Sequence, residues 1–163
     1  MTHSDPSPGG LPAPRLLAAW GLLAYAALFL FFEVVKLMLP GGSFADRAAG
    51  ADFRSLLIMA MPVLAVLLAV YVSPSLSSAR IIAAIAIVEY GVSLFFGLVT
   101  LLIGVISVIG GINNAQSAFG ALRFVVMAVA ELLLIAIAGL VAYRGFTTVG
   151  GRIPSTGKSA QAA

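Results

Sequence analysis

Residues 16–39 read LLAAWGLLAYAALFLFFEVVKLML, a run of 24 positions in which Glu33 and Lys36 are the only charges. As a helix rising about 1.5 Å per residue, it would extend roughly 36 Å, more than the ~30 Å of a bilayer's hydrocarbon. The apolar region of a secretory signal is about 7–15 residues, so this run is too long for one and reads as a retained transmembrane helix.

Three further apolar runs follow, at about 54–72, 80–109 and 120–143. Continuous apolar runs of this length are the signature of spanning helices. A transmembrane barrel would instead show alternation over about ten residues. The 80–109 run is longer than a perpendicular crossing needs, so it must tilt, extend beyond the bilayer or break near Gly104. Pro62, near the middle of the second run, removes a backbone N–H and kinks that helix, leaving a carbonyl that a neighbour must satisfy.

The segments between the runs are short. Pro40-Gly41-Gly42 ends the first and leads into a polar loop with Ser43, Asp46, Arg47 and Asp52. Residues 73–78 read as a turn, and 110–117 as an uncharged polar linker. Four helices joined by short links predict an all-α, four-helix transmembrane bundle of up-down-up-down topology over 15–144. Residues 1–14, with four of the chain's eight prolines, and residues 145–163 predict disordered tails.

Composition supports a membrane protein. The chain is 61% hydrophobic and 9% charged, where soluble domains carry about 25% charged residues. Its mean hydropathy is +1.12. The nine basic residues are scattered, so no basic patch offers a footprint for nucleic acid. Seven of them are arginine, and Ala and Gly are abundant, a bias that fits a GC-rich bacterial genome.

Chemistry-bearing residues are few. With no cysteine, and His3 the one histidine, thiolate sites, zinc sites and Ser-His-Asp chemistry lack their parts. Gly157-Lys158-Ser159 is preceded by Arg152 where a phosphate-binding loop needs glycine. No enzyme activity, metal or other cofactor is therefore expected.

Arginine and lysine set orientation. With both termini cytoplasmic, Arg15, Arg80, Arg144, Arg152 and Lys158 lie inside, Arg47 and Arg54 lie outside, and Lys36 and Arg123 lie near the outer helix ends. The plasma membrane is the expected location. Trp20, Tyr25, Tyr71 and Tyr143 read as interfacial anchors, although Trp20 and Tyr25 would equally pack between helices.

Three glutamates lie inside apolar runs, where a charged group costs about 2.5–3.5 kcal/mol on insertion scales. Glu33 has Lys36 on the same helix face, and Arg123 opens the fourth run from the same side. These three predict an outer-leaflet ion-pair network, or an anion or headgroup site. Glu89 heads a row of small residues at helical spacing: Ser93, Gly97, Thr100, Gly104, Ser107 and Gly111. Such a row lets helices approach closely in lipid and predicts a packing seam, within the bundle or between copies. Glu131 lies about as deep in the fourth run. Glu89 and Glu131 would meet at one level, where they would not both carry charge. They read as hydrogen-bonded struts, as a proton or cation site, or as part of a lipid or small-molecule pocket.

The functional expectation is a small multi-pass membrane protein acting through helix–helix contacts, as an accessory subunit or homo-oligomer among membrane lipids. The alternative is a small proton- or cation-coupled transporter or channel using the intramembrane glutamates.

Overall fold

A computed structural model describes residues 12–72 and 75–150 of the chain. Every regular element among the described residues is helical, with no strand. Three long apolar helices and a shorter one carry the fold: α1 (Pro12–Met38), α3 (Leu56–Val66), α4 (Ala79–Gly110) and α5 (Ala115–Thr148), with a six-residue helix α2 (Phe44–Ala49) between α1 and α3. The tail expectations for 1–11 and 151–163 lie outside the described residues.

Local chemistry explains most helix limits. Asn114 caps α5: its side chain accepts the Ser117 N–H, and the Ser117 hydroxyl accepts the Asn114 N–H. That box starts α5 within the stretch read above as a linker. At the other end, α5 runs to Thr148, past the expected limit at 143 and into the stretch read as a tail. Helix α4 passes through Gly104 unbroken, so of the three options for this long run a break is excluded. At about 1.5 Å per residue, α4 and α5 are roughly 48 and 51 Å long.

The polar loop after α1 also holds more structure than expected. Ser43 and Asp46 form a capping box that starts α2. The Ser43 hydroxyl and N–H both donate to the Asp46 carboxylate, at 2.7 and 3.1 Å. These bonds, the hydroxyl's foremost, hold the Asp46 carboxyl below the usual range. Arg47 returns to the end of α1, donating to the carbonyls of Leu37, Gly41 and Gly42. Gly42 adopts φ +63°, a left-handed turn that suits glycine.

Pro62 lies inside α3, which passes into a π-helical turn at Leu67–Tyr71. Its missing N–H would have bonded the carbonyl of Ile58. In the same turn, the hydroxyl of Tyr90 donates to the adjacent carbonyl of Met59 at 2.6 Å. A side chain of α4 thus braces the proline-containing segment.

Helix neighbours set the layout. α4 and α5 share the most extensive contact, and both α3 and α4 touch every other long helix. Among the described residues no Cα of α1 comes within 8 Å of one of α5. α4 and α5 run antiparallel. A Cβ built on Gly139 would lie 3.4 Å from Tyr90 Cβ, one on Gly97 would lie 3.0 Å from Leu132 Cδ2, and one on Gly104 would lie 2.7 Å from Phe124 Cζ. Phe53, just before α3, is fully buried and accepts the Ser93 hydroxyl on its carbonyl at 2.6 Å. α3 therefore begins level with the middle of α4. The last turns of α4 and the first turns of α5 stand beyond it as a two-helix projection.

Candidate functional site

Glu33 and Lys36 pair at 3.6 Å on α1. Glu33 also accepts the backbone N–H of Asp52 at 2.7 Å, and the Lys36 ammonium donates to the carbonyl of Gly50. Together the two side chains pin the α2 loop to α1. Arg123 does not join them: it is exposed, and among the described residues it forms no ion pair. Arg123 sits on α5, which is separated from α1, and hydropathy alone could not show that separation.

Glu131 is joined instead to Arg54, with Nε 3.6 Å from Oε2. Arg54 comes from the segment before α3, threads its stem against Gly97 and lies with its guanidinium 5.9 Å from the centre of the Phe124 ring. A Cβ at Gly97 would stand 3.2 Å from Arg54 Cγ, so the missing side chain is what admits the arginine.

Glu89 does not meet Glu131. The α4–α5 register puts Glu89, beside Tyr90, level with Gly139, and Glu131, beside Leu132, level with Gly97. The two carboxyls are separated by about eight residues along the helix, roughly 12 Å at the helical rise. Each carboxyl lies well inside its own apolar run, but antiparallel runs start from opposite ends. The register of the antiparallel pair sets them apart.

The small-residue row divides in two. Ser93, Gly97, Thr100 and Gly104 are buried, and the two glycines face α5 within the chain. The Thr100 hydroxyl bonds back to the carbonyl of Gly97 at 3.1 Å. Ser107 and Gly111 are exposed, because they lie on the projection beyond α3. Trp20, Tyr25, Tyr71 and Tyr143 all present exposed rings.

What remains is Glu89. It is 5% exposed, and among the described residues neither carboxylate oxygen has a hydrogen-bond partner. It lines an open groove of about 850 Å³. The floor is one face of α4, with Arg80, Ile81, Ala84, Ile85, Val88 and Glu89; Ala27 of α1 and Phe146 of α5 form its sides, and Ser77 its end. The groove occupies the space left because α1 and α5 do not meet. Arg80 lies with its guanidinium 5.7 Å from the centre of the Phe146 ring. Sequence reading missed this groove, because Phe146 fell in the stretch read as a tail. Among the described residues no cluster of His, Cys, Asp or Glu suits a metal ion.

No known protein family, characterised protein or solved structure shows significant similarity to the chain.

Proposed function

We propose that the chain is a small multi-pass membrane protein of the bacterial plasma membrane, without enzymatic activity. In this reading α1, α3, α4 and α5 cross the bilayer as an up-down-up-down bundle with both termini in the cytoplasm. The protein acts through helix–helix contacts, as an accessory subunit or homo-oligomer. The observation that carries the reading is the apolar outer surface of α4 and α5. Phe95, Leu102, Ile106, Phe119, Leu133 and Ile137 are each more than half exposed, on helices long and apolar enough to cross a membrane. Surface of this kind calls for lipid or for another helix. Links between the described helices are short, leaving little room there for a soluble working domain.

Purification in mild detergent or nanodiscs at native expression, with mass analysis of what co-elutes, tests the proposal. A stoichiometric unrelated partner supports the accessory role, and a defined homo-oligomer supports self-association. A lone monomer contradicts both.

Glu89 favours a second reading, a proton- or cation-coupled transporter or channel. With Glu131 engaged by Arg54, Glu89 is the intramembrane carboxyl whose oxygens lack partners among the described residues. Intramembrane ionisable residues commonly mark ion and proton paths. Glu89→Gln keeps the shape and much of the hydrogen-bonding capacity but removes the titrating group. Under this reading the variant folds and loses flux.

A further inference from the structure

We propose that the α4 groove binds a lipophilic monovalent amine, with the ammonium on Glu89 and the apolar body along Ile81, Ala84, Ile85 and Val88. This inference rests on the second reading above and specifies the class of ligand that Glu89 would take.

Charge complementarity selects the cation. Both Glu89 oxygens are buried without a donor among the described residues, and Glu89 lines a groove whose floor beside it is aliphatic. A buried carboxyl left unpaired is costly, and an N–H donor with positive charge relieves both the missing hydrogen bonds and the missing counter-charge. A bound metal ion would need several oxygen ligands. Among the described residues, the only other lining residue with a side-chain oxygen is Ser77, at the far end of the groove. A neutral lipid chain would fill the groove but leave the carboxyl oxygens without a donor.

The other end sets the number of charges. Arg80 lies nine positions before Glu89 on the same helix, about 14 Å away along the axis. Its guanidinium, held against Phe146, disfavours a second positive charge there. A ligand with one ammonium and an uncharged tail therefore fits better than a diamine of the same length. The groove's volume of about 850 Å³ falls within the roughly 300–1,000 Å³ of small-molecule sites.

The test uses the full chain in nanodiscs and isothermal titration with empty-disc subtraction. The probes are n-decylamine, decanol and 1,10-diaminodecane. Decylamine should show saturable binding near one per chain, with decanol and the diamine at least tenfold weaker. Glu89→Gln should weaken decylamine binding at least tenfold, and so should Ala84→Leu, which fills the groove and leaves the carboxyl in place. If Glu89→Gln does not fold, Ala84→Leu decides alone. A wild-type isotherm matching empty discs overturns the proposal, as does decanol or the diamine binding as tightly as decylamine. Unchanged affinity in a folded variant also overturns it. Glu89-dependent proton or cation flux without decylamine binding would sink this inference and leave the transport reading standing. Saturable, Glu89-dependent binding without flux would do the reverse.

Discussion

Arg54 and Glu131 lie 77 positions apart in sequence, yet the arginine Nε stands 3.6 Å from the carboxylate Oε2 at mid-height on α5. The Arg54 side chain is 15% exposed and that of Glu131 is 37% exposed. Removing one partner of a fully buried pair costs about 3–5 kcal/mol. The partly exposed carboxyl argues for less here, so Glu131→Gln should destabilise the fold by about 1–3 kcal/mol. In a double-mutant cycle with Arg54→Leu, measured by unfolding in mixed micelles, the two changes should be clearly non-additive. Additive losses would show that the pair contributes nothing as a pair.

Glycines in the helices should rank by what a methyl group would strike. At Gly145 a Cβ would meet Val66 Cγ1 at 2.9 Å, and Val66 is fully buried and β-branched, so it has little freedom to move. Gly145→Ala is expected to cost about 1–3 kcal/mol, in line with overpacking. Gly91 has nothing within 4 Å of a built Cβ. Gly91→Ala should be neutral or stabilise by up to about 1 kcal/mol. Equal thermal shifts for the two variants would contradict this packing of α5 on the π-helical turn.

The Tyr90 hydroxyl bonds the Met59 carbonyl beside Pro62, and the Ser93 hydroxyl bonds the Phe53 carbonyl, so α4 holds both α3 and the segment leading into it. Tyr90→Phe and Ser93→Ala should each cost about 1–2 kcal/mol by removing a buried hydrogen bond to a backbone carbonyl. Amide exchange should accelerate in α3 more than in α5. A uniform acceleration across the chain would mean that these bonds do not secure α3 in particular.

The Asp46 capping box carries a pH signature. The folded-state pKa of Asp46 is lowered by the Ser43 hydrogen bonds, so its contribution is present above the ordinary Asp value and fades as pH falls through the lower folded value. Amide signals of α2 should therefore stay ordered through pH 5 and begin to lose cap protection only below the normal aspartate range. In Ser43→Ala the Asp46 titration should move upward toward that range. No upward movement would separate the carboxyl from the Ser43 bonds.

Legibility in the sequence followed interaction range. The limits of α1 and α4 lie within a few residues of their apolar runs, because hydropathy and helix extent end together at Pro40 and at Ser78. α2 and the early start of α5 also had local signals, Ser43 three residues before Asp46 and Asn114 three before Ser117, which hydropathy alone overrides. Glu33 and Lys36 meet as same-face spacing suggests. Arg123, the Glu89–Glu131 level and the groove were not legible. Each depends on which helices are neighbours and in what register, and no local pattern encodes the gap between α1 and α5.

The proposed four crossings depend most on α3, since Leu56–Tyr71 is shorter than the three helices long enough to cross a membrane unaided. The chain has no cysteine, so single-cysteine variants need no prior engineering. Ser43→Cys, Ser75→Cys and Asn113→Cys place a thiol between successive spans. An impermeant maleimide applied to intact cells should label residues 43 and 113 and spare 75 until the cells are permeabilised. Labelling of 43 and 75 from the same side would make α3 re-entrant and contradict the four-span bundle.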